Sequence, residues 1–185
     1  MAITKIWTVK SRLDTSLNYI ANPEKTSLKP DIDAVEGVAK YIENKDKTEN
    51  CVYVKTYNCT ADNAFSEMLE TQDFFGKTGR KNGVLAYHLV QSFKAFETTP
   101  EIAHKCGLEL VERLFADKYE VMLATHLDHD HLHNHILINA VSYIDGKKYR
   151  NNFKDYFFDI RGISDQICRE NCLSVIEHRK GKGLH

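Results

Sequence analysis

The stretch Thr125-His126-Leu127-Asp128-His129-Asp130-His131-Leu132-His133-Asn134-His135-Ile136-Leu137-Ile138-Asn139 carries five of the chain's nine histidines and two carboxylates. An apolar run, Val121 to Leu123, leads in, and another, Ile136 to Ile138, leads out. That pattern reads as two short strands joined by a polar turn. Side chains alternate along a strand, so His126 and Asp128 share one face, as do His133 and His135. A turn over His129 to Leu132 pairs Asp128 with His133 and His126 with His135, within ~5 Å across the strands. Three imidazoles with an open coordination position suit a divalent transition metal such as Mn, Co, Ni or Zn. We take His126, His133 and His135 as the ligands. Asp128 then either orients a histidine or moves a proton. The bland alternative is a solvated, histidine-rich turn with adventitious affinity for metals. The strand periodicity argues against it, because it puts the three imidazoles on one face.

The elements that must hold this hairpin follow from the rest of the pattern. Ile3 to Val9 alternates as a first strand. A short helical or looped segment, Asp14 to Ala21, ends at Asn22-Pro23. Residues 24–50 are polar and charged and read as a partly ordered excursion. Val52 to Tyr57 is a second strand, and Thr60 can cap a helix whose face holds Ala61, Ala64, Phe65, Met68 and Leu69. After a basic loop, Gly76 to Gly83, comes a third strand, Val84 to Phe93. Thr99-Pro100-Glu101 starts a helix with proline in its first turn and the stripe Ile102, Cys106, Leu110, Leu114. Tyr156, Ile160, Ile163 and Ile167 mark a last helix. Five strands with helices between the non-hairpin neighbours predict an α+β, ferredoxin-like layer. Its sheet is largely antiparallel and five-stranded, with helices on one face and the metal site on the other.

A chain of 185 residues fits one domain with a full core. A formal net charge of −1 excludes a protein that coats DNA by bulk positive charge. Cations cluster locally at Lys77, Arg80 and Lys81, at Lys147, Lys148, Arg150 and Lys154, and at Arg179, Lys180 and Lys182. Singly these are ordinary solvated surface; together they can form a phosphate-binding rim. The five cysteines, an odd number without CxxC spacing, read as reduced, buried thiols of a cytosolic protein. Lys5 and Trp7 interrupt any signal-peptide core, and no apolar run approaches the ~20 residues that span a bilayer.

The string His126-x-Asp128-x-x-His131-x-His133-x-His135-x-x-x-Asn139 resembles the His-hydrophobic-His (HUH) motif of conjugative relaxases. These are mobilisation nucleases of plasmids and integrative conjugative elements, and the closer likeness is to the branch containing the T-DNA-nicking relaxase. Asn18-Tyr19-Ile20-Ala21-Asn22-Pro23-Glu24-Lys25-Thr26 is similar to that branch's tyrosine motif. Gly83 to Phe93, with Tyr87-His88 and Gln91-Ser92-Phe93, is similar to its middle motif, and Ser164 to Cys168 with Leu173 to Ile176 to its closing helix and strand. Many members carry proline where this chain has Leu132; that proline would stiffen the turn and supplies no ligand.

On residue type alone Tyr19 reads as a half-buried helix aromatic. The resemblance makes it the nucleophile: its phenolate would attack single-stranded DNA at an origin of transfer, forming a 5′-phosphotyrosine link and releasing a 3′ hydroxyl. A phenol of pKa ~10 needs help to ionise, and Asp128 is the candidate acceptor. The cofactor implied is a divalent cation, Mn2+ or Mg2+ first, with Zn2+, Ni2+ or Co2+ as alternatives. Arg80, Lys81, Lys147 and Arg150 would grip the strand, and Ser92 or His88 would contact phosphate or simply occupy strand surface. A relaxosome accessory protein and a type IV coupling protein are the implied partners, in a bacterial cytoplasm and without membrane contact. Residues 1–185 would be one nuclease domain, the N-terminal part of a longer protein. Three other functions stay open. A rolling-circle replication initiator shares the histidine pair but carries Tyr-x-x-Lys after it, whereas Tyr156 is followed by Phe157, Phe158 and Asp159. A metal-dependent DNA-binding module without catalysis, or a metallohydrolase of small esters, would form no covalent DNA adduct.

Overall fold

The structure is a computed structural model that describes residues 2–10, 13–22, 53–78, 83–127, 131–152 and 154–176. Asp128, Arg80, Lys81 and the excursion at 24–50 lie outside the described residues. Five strands form one antiparallel sheet: β1 (Ile3–Val9), β2 (Val54–Tyr57), β3 (Ala86–Ser92), β4 (Val121–His126) and β5 (His133–Asn139). Their order across the sheet is β1-β3-β5-β4-β2. The helices are α1 (Leu13–Ile20), α2 (Ala64–Phe74), α3 (Pro100–Leu114) and α4 (Gly162–Glu170), the last entered through a π-helical stretch, Asp155–Arg161. This is the α+β layer with a five-stranded antiparallel sheet that the pattern predicts.

Parity along the strands separates two cores. Leu89 on β3, Val121 and Leu123 on β4, and Ile136 and Ile138 on β5 pack with α3 and α4 residues such as Cys106, Leu110 and Ile167. The opposite parity turns Ala86, Met122, Ala124 and Leu137 toward Leu13, Leu17 and Ile20 of α1 and Met68 of α2. Helices therefore also rest on part of the histidine-bearing face. Burial of Leu13, Leu17 and Ile20, one side of α1, follows the i, i+4, i+7 rule and leaves Asn18 and Tyr19 outward.

The register of the histidine hairpin differs from the four-residue turn expected. His126 pairs with His133 and Ala124 with His135, so the connection spans residues 127–132. The slip is two residues, and an even slip keeps every side chain on its face. The turn lengthens because the entry to β5 is held by the neighbouring strand: the Phe93 N–H donates to the Leu132 carbonyl at 3.0 Å.

Two helices begin differently from their sequence signals. Thr60 does not cap α2; its backbone N–H and its hydroxyl both donate to the Glu67 carboxylate, and Asn63 precedes the helix. Helix α3 starts as expected, with Thr99 Oγ1 accepting from the Ile102 N–H. Its buried side, however, is Ala103, Cys106, Gly107, Leu110 and Val111, and Ile102 is partly exposed. Small residues at 103 and 107 let the helix sit close on the sheet. A Cβ on Gly107 would lie 2.5 Å from Asn134 Nδ2 and 2.7 Å from Leu123 Cδ1.

Asn134 cannot yield, because its amide is locked. It donates to the Gln91 side chain at 2.9 Å and the Ala103 carbonyl at 2.7 Å, and accepts from Thr125 Oγ1 at 2.7 Å. Helix propensity would favour Gly107→Ala by ~1 kcal/mol. Overpacking against a fixed amide costs ~1–3 kcal/mol and wins. Gly107→Ala therefore lowers stability, read as a reduced urea midpoint at unchanged m-value. The same network reaches His104, whose Nδ1 lies 2.8 Å from Thr125 Oγ1 and whose ring faces Tyr53. Burial lowers the His104 pKa. Below the unfolded value of ~6.5 the unfolded chain binds this proton better, so His104's contribution is full above that pH and is lost as pH falls through it. In urea titrations from pH 7.5 to 5, His104→Gln shows a shallower loss of stability than the parent.

Of the cysteines, Cys106 and Cys168 are buried free thiols as expected, raised by burial to about 11 and about 12. Cys59 is half-buried and free, Cys172 is exposed, and Cys51 lies outside the described residues.

Candidate metal and nucleophile site

His126 ends β4, and His133 and His135 open β5, so three imidazoles of equal parity meet where the two strands join. One ligating nitrogen from each lies within 4.8 Å of the others, and all three residues are buried. Ring centroids are 4.2 Å apart for His126–His135, 4.8 Å for His133–His135 and 5.3 Å for His126–His133. Each ring has one nitrogen engaged outside the cluster. His126 Nε2 lies 2.9 Å from the Ile20 carbonyl, His133 Nδ1 lies 3.2 Å from the His131 carbonyl, and His135 Nδ1 lies 2.8 Å from His88 Nε2. A backbone carbonyl can only accept, so His126 and His133 carry their protons on Nε2 and Nδ1. A metal-binding imidazole is held this way: one N–H is given to an outer partner and the other nitrogen is kept as the ligand. The donor set, three neutral imidazole nitrogens, fits a borderline divalent cation.

The first outer contact comes from the end of α1. The Ile20 carbonyl belongs to the last turn, whose carbonyls lack helical partners, and His126 satisfies it. The same turn brings the negative end of the helix dipole to the cluster, which favours a cation there. It also places Tyr19, one residue earlier. The Tyr19 ring stands edge-on to His126 and His135, with centroids 5.5 Å and 5.4 Å away, and the residue is 44 % exposed.

His88 supplies the third outer contact. It sits on β3 opposite Leu137, its pKa is lowered to about 4 by burial and by the nearby His126, and it is therefore neutral near pH 7. The sequence offered His88 as a phosphate contact or as strand surface, not as the outer partner of a metal-site histidine. Its strand parity, shared with Ala86, Val90 and Ser92, was the available signal for its face. The Ile20 carbonyl is a backbone group and left no signal at all. Ser92 lies opposite His133 and is half-buried.

The basic residues divide. Lys147 and Arg150 meet Lys77 and Lys148 around a cavity of about 780 Å3 that also touches Val84 and Ala140. That cavity is beyond the C-terminal end of β5, a strand of seven residues whose first carries a triad imidazole. Seven residues span about 20 Å, so Lys147 and Arg150 gather with each other and not with the triad.

The family model described as Relaxase: MobA/VirD2-like, nuclease domain matches residues 41–173. A Staphylococcus aureus protein called Protein rlx is 43 % identical over 120 residues, which is 65 % of this chain and 36 % of that protein. The group II intron-interrupted relaxase LtrB of Lactococcus lactis subsp. cremoris is 30 % identical across 89 % of this chain and 36 % of its own length. The chain thus spans about a third of the length of these curated relatives. With the family model covering most of the sequence, the chain belongs to the MobA/VirD2-like relaxases, within their nuclease domain.

Proposed function

We propose that residues 1–185 act as one nuclease domain that nicks and rejoins a single strand of DNA at an origin of transfer. The observation that carries this is the Tyr19 ring set against His126 and His135. The Tyr19 phenolate oxygen attacks phosphorus, the bond from phosphorus to the 3′ oxygen breaks, and the 5′ phosphate stays on Tyr19. The departing 3′ oxygen takes up a proton, and the reverse attack by that hydroxyl rejoins the strand. Asp128, outside the described residues, is the proposed acceptor of the phenol proton. His126, His133 and His135 would hold Mn2+ or Mg2+, with Zn2+, Ni2+ or Co2+ as other fits to imidazole. When bound, the cation supplies polarisation of a phosphoryl oxygen. Lys147 and Arg150, remote from the triad, are proposed to hold DNA away from the nick, and Arg80 and Lys81, outside the described residues, are proposed to grip the strand as well. A relaxosome accessory protein and a type IV coupling protein are the partners this role implies, in the bacterial cytoplasm. Among the described residues, no helix is long and apolar enough to cross a membrane.

The replication-initiator reading would use Tyr156. Its hydroxyl donates to the Thr4 carbonyl, and its ring packs with the core on the side of the sheet opposite the triad.

The reading is tested by incubating the chain with an origin-sequence single strand and Mn2+ or Mg2+, followed by a denaturing gel. A shifted protein–DNA band is expected. Excess chelator removes it, and restoring the metal brings it back. A band that forms equally in chelator contradicts the metal assignment, and no band under any metal contradicts the nuclease reading.

A further inference from the structure

Antiparallel register lays the histidine face out in rows. His126 and His133 are followed by Ser92 and Ile3; His135 is followed by Val90 and Lys5; Leu137 is followed by His88 and Trp7. The outer ends of these rows, Ile3, Lys5 and Trp7, all belong to β1 and all are exposed. A fully apolar or fully charged strip would fit other uses; this one alternates an aliphatic, a cation and an indole along one edge strand.

Trp7 is 45 % exposed, unusual for the one tryptophan of a chain. Its ring lies 4.4 Å from His88, whose own partner is His135. One side of the indole is thus tied to the metal-site histidines while much of the rest meets solvent. At the strand's outer edge Lys5, Ile6 and Trp7 border a cavity of about 500 Å3 with Asn151, Asn152 and Tyr156. The Asn151 side-chain oxygen is buried with no hydrogen-bond partner among the described residues. Asn151 and Asn152 make the lining of that cavity partly polar.

We propose that Trp7, Lys5 and the Asn151-lined cavity form a nucleobase-stacking subsite that holds the single strand beside the scissile phosphate. The subsite rests on the nicking function proposed above. β1 lies two strand spacings, about 10 Å, from β5, so a base next to the phosphate at the triad reaches it. Trp7 takes the face of that base, as aromatic platforms do for unpaired strands. Lys5, level with His135, meets the adjoining phosphate.

Because the chain has a single tryptophan, its emission reports this position alone. The test titrates the Tyr19→Phe chain, which binds without cleaving, with a dye-labelled single strand from the origin of transfer in Mg2+. Anisotropy and tryptophan emission are read together. The subsite predicts quenching that saturates with the anisotropy, and loss of quenching when one nucleotide beside the nick is made abasic. It predicts a Kd roughly 5- to 100-fold weaker for Trp7→Ala, with Trp7→Phe close to the parent and Phe96→Ala, an exposed aromatic elsewhere, unchanged. Saturable binding with unaltered emission and a parental Kd for Trp7→Ala overturns the subsite and leaves the nicking function standing. Absence of saturable anisotropy overturns both.

Discussion

Tyr19→Phe loses the covalent DNA adduct by at least ~1,000-fold while unfolding at the parental midpoint. The two halves of that result come from different facts. The ring is 44 % exposed and edge-on to two imidazoles, so deleting one hydroxyl removes little packing. The same hydroxyl is the only atom of the side chain that can become a phosphoester, and without its nucleophile the chemistry falls to that of background water. Adduct yield on a denaturing gel and a urea midpoint, measured on the same preparation, separate the two. A variant that keeps the adduct shows that another residue is the nucleophile. A variant that loses both the adduct and the fold shows that Tyr19 is structural.

His135→Ala is the second large effect, and it acts on binding before chemistry. The His135 ring lies within 5.4 Å of Tyr19, His126, His133 and His88 by ring centroids. Its loss takes one of three ligands and removes the 2.8 Å contact between His135 Nδ1 and His88 Nε2. Metal content by titration calorimetry should fall from one ion per chain to a site weakened ~100-fold or more, with the adduct falling in parallel at limiting metal. Losing an outer partner typically costs 10- to 100-fold in metal affinity. Removing an inner ligand should therefore cost no less. His88→Ala, which removes only the outer partner of His135, belongs at the smaller end of that range. If His135→Ala binds one ion at parental affinity, the three imidazoles are not the ligand set.

The histidine cluster was legible because strand parity is robust. The register slipped by two residues, yet His126, His133 and His135 stayed on one face. The loop length was not legible: residues 127–132 carry no Asn-Gly or Asp-Gly signal to fix a tight turn, and the contact that fixes β5, from Phe93 to Leu132, comes from another strand. The start of α3 was legible because Thr99-Pro100 is a local, stereochemical signal. Its buried side was misjudged because hydrophobicity favours large side chains, while Ala103 and Gly107 are buried for their smallness. Tyr19 was singled out only by resemblance. The carbonyl of Ile20 that draws α1 onto His126 is a backbone group 106 residues away in sequence. Lys147 and Arg150 follow β5 in sequence, but a strand's two ends are far apart in space, so their place in the chain does not fix their distance from the triad.

The measurement closest to the heart of the account is peptide mapping of the DNA adduct. After nuclease and protease digestion, mass spectrometry should find a 5′-phosphoryl nucleotide on the peptide containing Tyr19, fragmenting at that tyrosine, and only in samples given a divalent ion. The same nucleotide on Tyr156 or any other residue, or on Tyr19 in metal-free samples, contradicts a phenol working beside a three-histidine cation site.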